Sequence, residues 1–341
     1  MRKSDIRVAV VGYGPSYGMG DHHLRATQAA GMTPAAIVDT DPGRRSAAAE
    51  AWPGLEVYDS VPAMLRKSDA NLAILITPHN THAALAVQCL RAGRHVVTEK
   101  PMAITTAECD RMIRTAEAEG VMLSAYHNRH WDACILEAVR RVRGSGMIGD
   151  VRRIEAHMGR YGPPGKTWRA SKSISGGILY DWGAHLLEWT LQLIDSEVVE
   201  VSGFASRGVW QQRTGWKADT NEDEAMAVMR FRNGAWASLV ITSLDTNPKP
   251  SVLEITGAQG TYLMNHGDYR VLQPRKAGQT LVHEGRTRAG KQHRYYENVA
   301  GHIADGEELV ITAQWARRAI HVLDLADRSA ARGKTLQTKY G

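Results

Sequence analysis

The stretch IRVAVVGYGPSYGMG, residues 6–20, continued by DHHLRATQAAG to residue 31 and answered by AAIVD at 35–39, decides the fold. A short apolar run rich in valine meets glycines at Gly12, Gly14, Gly18 and Gly20, and a helix-like pattern follows. Glycines between a strand and a helix let the backbone approach a pyrophosphate, which the free N–H groups and dipole of the helix N-terminus then stabilise. The spacing departs from a strict GxGxxG, whose third glycine would stand at position 17, where the chain has Tyr17. The turn is therefore longer and carries its glycines at 18 and 20. The second strand settles the reading, because it ends in Asp39, about 20 residues beyond these glycines, where an acid bonds the adenosine ribose hydroxyls of a dinucleotide. Asp39 repels a 2′-phosphate, so NAD is expected ahead of NADP, with Arg44 and Arg45 near enough in sequence to soften that preference.

Outward from this turn, residues 6–126 alternate short apolar runs with helical patterns, as βαβ units of a parallel sheet do. LAILITP, HVVTEKP and VMLSAYH read as further strands, and the helical patterns between them stop at Gly93 and Gly120. After about residue 125 the rhythm changes. A helix is expected over 132–143, a strand at VRRIEAHMGRYG, and then half-exposed antiparallel strands with hairpin turns at Asn233-Gly234 and near 257–260. The expected class is α/β: an N-terminal doubly wound domain over 1–125, and an α+β domain with a mostly antiparallel sheet packed on helices over 126–310. A C-terminal segment, 311–341, carries a helix that docks on the body through Ala316, Ile320, Leu323 and Ala326.

Composition excludes several classes. Of 341 residues 43% are hydrophobic and 23% charged, the usage of an ordinary globular protein, and no run is long and apolar enough to span a bilayer. No signal-peptide pattern precedes the first strand, so a cytoplasmic location is expected. Cys89, Cys109 and Cys134 lack paired spacing, which predicts packed thiols rather than a disulfide framework or zinc knuckle. The formal net charge of +6 comes mostly from basic residues interspersed with acids, which argues against nucleic-acid binding. One basic run, 270–294, faces only Glu284 and is expected to be a solvated loop or subunit edge, with a polyanion site as the alternative.

Three motifs carry chemistry. TPHNTH, 77–82, sits at the carboxyl edge of the sheet, where open α/β folds bind ligands. HVVTEKP ends in Glu99 and Lys100, and an ammonium at that edge stabilises negative charge developing on a substrate oxygen. In GGILYDWGAH, 176–185, Asp181 and His185 lie four apart on one helical face. That spacing alone admits a metal site, a proton relay or polar residues in a core. A metal site needs a third ligand, and His157 and Glu188 are available without telling spacing.

With its glycine-bearing first strand, the Glu99-Lys100-Pro101 triplet, and the run from Gly176 through Asp181 and Gly183 to His185, the chain resembles the glucose-fructose oxidoreductase, inositol dehydrogenase and MocA-like family over nearly its whole length. The resemblance implies that the first domain is a Rossmann domain and that the second carries a large open sheet, with a retained nicotinamide cofactor, no metal, and oxidation or reduction of a hydroxyl on a sugar or cyclitol. It implies Lys100 as the catalytic lysine, Asp181 as the substrate-binding acid and His185 as general acid/base. On the cofactor side it implies Gly12, Gly14, Gly18, Met19, Gly20, His23, Asp39 and Arg44 around the turn. Thr77, Pro78, Asn80, His82, Glu99, Lys100 and Asn128 follow around the nicotinamide and its ribose. HNRHWD, 127–132, resembles a stretch of one branch of the family, with His130 in place of its second arginine; Arg129 is expected on the substrate side. Trp168 and Arg169 are substrate candidates because an indole covers a sugar face and a guanidinium grips hydroxyls. The glycines at 176–177 are expected to leave room for the sugar. A homodimer or homotetramer through the second sheet is implied as well. An NAD-dependent glycosidase using transient oxidation, and a non-catalytic nucleotide-sensing regulator, are the competing functions.

Overall fold

The computed structural model describes residues 1–14 and 18–339; Tyr17, at the third-glycine position, lies outside them. The chain divides into two compact units, 1–128 with 293–318, and 129–292 with 319–341.

The first unit holds a six-stranded sheet of β1 (Arg7–Val11), β2 (Thr33–Val38), β3 (Glu56–Tyr58), β4 (Leu72–Leu75), β5 (His95–Thr98) and β6 (Leu123–Ala125). The order is β3-β2-β1-β4-β5-β6 and every pairing is parallel. The order reverses between β1 and β4, so the carboxyl ends of these two strands flank the crevice where such sheets bind dinucleotides. Helices α1 (Met19–Ala29), α2 (Pro42–Ala51), α3 (Val61–Lys67), α4 (His82–Arg91) and α5 (Thr106–Glu119) connect the strands. Their ends follow local chemistry. Asp41 caps α2 ahead of Pro42, Thr105 and Glu108 form a reciprocal cap on α5, and Gly120 ends α5 in a left-handed conformation. Strands β1 and β4 are almost entirely buried, as expected of strands covered on both faces.

The second unit is built on a nine-stranded sheet. Its strands are β7 (Val151–Gly159), β8 (Val198–Ser206), β9 (Glu224–Phe231), β10 (Trp236–Thr242), β11 (Leu253–Gly257), β12 (Gly260–Met264), β13 (Asp268–Pro274), β14 (Thr280–Arg286) and β15 (Leu336–Gln337). The order is β14-β13-β12-β11-β7-β10-β9-β8-β15, antiparallel except where β7 meets β10. Helices α6 (Ala133–Val139), α7 (Lys172–Ser175) and α8 (Ile178–Leu193) belong to this unit, and α6 and α8 pack on the sheet. Leu239, Ala227 and Ala156 face the helices and are buried, while Trp236 and Phe204 alternate onto the other face and remain exposed.

Two expectations are corrected. The domain expected over 126–310 ends early, because the helix Arg294–Asp305 belongs to the first unit. Its Tyr295 hydroxyl lies 2.8 Å from Ser124 and its Tyr296 hydroxyl 2.5 Å from His23, contacts with no local signature. The helix Ala313–Arg332 is shared, with Arg317 paired to Asp110 in the first unit and Leu323 buried in the second. The basic run 270–294 is not a loop through its first half: β13 and β14 form a hairpin in which Arg270 pairs with Glu284 across the strands at 2.7 Å. Tyr269 and Val271 alternate inward there, a period-two signal masked by the charges between them.

Candidate active site

The cofactor candidates of the first unit lie along the carboxyl ends of β1, β2, β4 and β5. Gly12 follows β1 with φ +97°, and a Cβ there would stand 2.9 Å from the Ile76 carbonyl oxygen. Only glycine permits this approach between the ends of β1 and β4. Gly18 begins α1 in a left-handed conformation, and among the described residues no side chain caps this helix end, where N–H groups suit an anion. Met19 and Gly20 form the first turn of that helix, with Gly20 buried beneath the Tyr13 ring. Asp39, 5% exposed, accepts from the Tyr13 N–H at 2.7 Å and from the Asp41 N–H at 2.9 Å. The Arg44 guanidinium stands 3.8 Å from the same carboxylate and close to Gly14. Arg45 turns away to donate to the Asp39 and Thr40 carbonyls. The glycine turn, the acid and the first arginine thus converge, and this donor and acceptor set fits a dinucleotide.

Across the reversal in strand order, β4 leads into a 3-10 turn at His79–Thr81. Thr77 and Pro78 precede that turn, and Asn80 is exposed on it. The Thr81 hydroxyl lies 2.7 Å from that of Thr77. Glu99 and Lys100 follow β5, and Asn128 follows β6. Glu99 accepts from the Lys100 N–H at 2.9 Å. Burial alone would raise its carboxyl pKa, but the hydrogen bond from His23 and the nearby Lys100 charge outweigh that and hold it at about 2.

Two residues expected to touch the cofactor are instead buried struts. His82 is 0% exposed, with Nδ1 2.9 Å from the Pro101 carbonyl oxygen and Nε2 2.8 Å from that of Thr77, so it ties the two loops together. Burial lowers its pKa against the opposing pull of the two carbonyls. His23, also 0% exposed, spends its ring on Glu99 and Tyr296.

The second unit places Asp181 in the first turn of α8, part-exposed, and His185 one turn on, 4% exposed. Trp182, which the sequence reading passed over, meets the His185 ring edge-on at 5.6 Å and carries the Arg129 guanidinium over its face at 4.7 Å. Arg129 also bonds Asp132 at 2.8 Å, and its carbonyl accepts from the Trp189 indole at 2.9 Å. The residues considered as third metal ligands are paired elsewhere. Glu188 lies 2.6 Å from His130, and His157 lies 2.7 Å from Asp245. Among the described residues, no group of three or more His, Cys, Asp or Glu side chains is arranged to hold a metal ion. Trp168 and Arg169 share a 3-10 turn before α7, the guanidinium 4.6 Å over its neighbour's ring.

At Gly177 the space beside the backbone is taken by the chain itself. Gly177 has φ +126°, and a Cβ there would stand 2.7 Å from Lys172 Nζ and 2.8 Å from Glu222 Oε2. Glu222, buried, accepts from the Ile178 N–H at 3.0 Å and pairs with Lys172 at 2.9 Å. It therefore caps α8 from outside the helix. Burial would raise its pKa, but the Lys172 charge and the Ile178 amide hold it below the ordinary range. Asp219 and Asn221 extend the clasp. Asp219 accepts from the Ser173 N–H at 2.9 Å, and the Asn221 amide donates to the Arg169 carbonyl at 2.7 Å. The acid run 219–224 was the available signal, and its partners lie some forty residues upstream.

Comparison with known proteins agrees with this geometry. The family described as "Oxidoreductase family, NAD-binding Rossmann fold" matches residues 6–127, and "GFO/IDH/MocA C-terminal domain" matches 136–263. A scyllo-inositol 2-dehydrogenase (NADP(+)) of Bacillus subtilis is 34% identical over 143 residues, 42% of this chain and 40% of that protein. Inositol 2-dehydrogenase 1 of Saccharopolyspora erythraea is 34% identical over 149 residues, 42% of this chain and 43% of that one. The chain thus spans less than half the length of these two relatives. The crystal structure of an NAD-binding protein from Listeria innocua superposes with a TM-score of 0.83 at 25% identity, covering 98% of this chain and 97% of that one. With a Rossmann domain that matches the first family description and a large-sheet domain that matches the second, the chain belongs to the GFO/IDH/MocA family of oxidoreductases.

Proposed function

We propose that this protein is an NAD(P)-dependent dehydrogenase that moves a hydride between the nicotinamide and a secondary hydroxyl or ketone of a sugar, sugar derivative or cyclitol. The observation that carries this reading is the occurrence, in one chain of this family, of a cofactor cleft ending in Lys100 and a helix bearing Asp181 and His185. A bound nicotinamide supplies the hydride acceptor. His185 takes the hydroxyl proton as the C–H bond breaks, a task suited to a neutral imidazole whose ordinary pKa is about 6.5. The Lys100 ammonium polarises the reacting oxygen, and Asp181, one turn before His185, orients the imidazole or a second hydroxyl. Arg129, Trp168 and Arg169 are assigned to the substrate side. The names of the two inositol dehydrogenases support a cyclitol or sugar as the class.

NAD is placed ahead of NADP because Asp39 offers a carboxylate to the adenosine ribose, with Arg44 as the counterweight. A homodimer or homotetramer through the open face of the second sheet accounts for the exposure of Phe204, Trp236 and Val282 there. The protein is placed in the cytoplasm, in keeping with three free, buried cysteines; no described helix is long and apolar enough to cross a membrane. The deciding experiment screens monosaccharides, cyclitols and sugar acids with each cofactor, following absorbance of the reduced form. His185→Ala is expected to lose roughly a hundredfold or more in turnover at neutral pH. Wild-type turnover in that variant would end the assignment, and glycoside cleavage without net NADH would replace the reaction with transient oxidation.

A further inference from the structure

Behind Glu99 lies a set of buried polar groups that hydride transfer does not use. His23 Nδ1 stands 2.5 Å from the Tyr296 hydroxyl, and Nε2 stands 3.1 Å from Glu99 Oε1. Burial raises the Tyr296 pKa far above its ordinary value, so the phenol keeps its proton beside Nδ1. The carboxylate can only accept, so the ring nitrogen that faces it, Nε2, donates to Glu99. The other Glu99 oxygen accepts the Lys100 N–H. The row is rigid. Tyr126 stacks on Tyr296 with centroids 5.4 Å apart and meets the His23 ring edge-on at 4.5 Å, while the His22 Nε2 lies 2.8 Å from the Tyr126 hydroxyl. His23 and Tyr296 are 0% and 2% exposed, whereas the Glu99 side chain keeps 15% of its surface open.

We propose that His23 and Tyr296 are positioning residues for the cofactor: they fix Glu99 so that its open edge accepts hydroxyl hydrogens from the ribose on the nicotinamide side. The inference rests on the cofactor reading above. Strand order gives it direction, since Asp39 ends β2 on one side of the reversal and Glu99 follows β5 on the other. A dinucleotide laid across the reversal meets Asp39 with its adenosine half and Glu99 with its other half. Hydrogen bonds to a charged acceptor are strong only when the acceptor is held in place, and a carboxylate with no partner behind it swings or binds water.

The test compares NADH with ADP, which lacks the nicotinamide ribose, on the full chain. NADH is titrated by its fluorescence and ADP by calorimetry. His23→Phe is expected to weaken NADH at least about tenfold while ADP stays within about twofold. His23→Gln, whose amide still donates to Glu99, recovers most of the loss. Tyr296→Phe removes only a hydroxyl, keeps the fold if His23→Phe does not, and weakens NADH about threefold at constant ADP affinity. Unchanged NADH affinity in Tyr296→Phe and His23→Phe, or a parallel loss of ADP, would overturn the proposal. A wild-type protein that binds no NADH would instead remove the cofactor reading itself.

Discussion

Two glycine clusters mark the two units, and they serve different neighbours. At the first turn, a Cβ on Gly12 would strike the Ile76 backbone, but a Cβ on Gly18 would meet nothing within 4 Å among the described residues. At 177 the space above the backbone is filled by Lys172 and Glu222 of the chain itself. Gly12 lets two strand ends approach, while Gly177 makes room for an ion pair that anchors the helix carrying Asp181 and His185. The difference teaches that glycines before a helix report close approach without saying what approaches.

The comparison breaks most directly at 177. Gly177→Ala imposes a backbone conformation that side chains rarely adopt and displaces the tips of Lys172 and Glu222, and should cost roughly 3 kcal/mol in urea unfolding. Equal stability of variant and wild type would show the clasp to be loose. Glu222→Ala leaves Lys172 with Asp327 alone and uncaps α8; a loss of roughly 3 kcal/mol is expected, with Glu222→Gln recovering part of it through the Ile178 amide.

Acid sharpens the contrast on the first side. The Glu99 pKa falls from 4.5 to about 2 on folding, so its contribution is fully present above the unfolded value and is lost as pH drops from about 4.5 toward 2. Thermal melts between pH 6 and 3 should show a steeper fall for wild type than for Glu99→Gln, and identical slopes would contradict the held carboxylate. Gly18→Ala should cost only about 1–2 kcal/mol, the ordinary left-handed penalty, and its larger effect should be on NADH affinity. The smallest expected change is in cofactor choice. Asp39→Ala, which leaves Arg44 in place, should shift the NADP to NAD ratio of kcat/KM upward by roughly tenfold, and Arg44→Ala should move it the other way by a few-fold.

Much of the first unit could be read along the chain. The strand at 7–11, the glycines, Asp39, the stops at Gly93 and Gly120, and Glu99-Lys100 all express short-range rules of backbone sterics and spacing. The buried face of the helix Ala313–Arg332 was legible for the same reason, since Ala316, Ile320, Leu323 and Ala326 recur at helical period. The short β3 shows no period in its three residues, and the basic residues in and around β13–β14 make that hairpin resemble a solvated run. The site was half visible. Asp181 and His185 stood out by spacing, but Trp182 between them did not, because an indole in an apolar helix reads as core.

What sequence order could settle, then, was the Rossmann unit, its acid, and the residue types offered to chemistry, because each depends on neighbours within one strand, turn or helix. Only the folded chain decided which of those side chains face a cleft and which hold one another. His23 meets Tyr296 across 273 positions, and Glu222 meets Ile178 across 44. Partners that far apart leave no periodic trace, and the hydrogen bonds and neighbouring charges that keep Glu99 and Glu222 ionised against burial exist only once they have met.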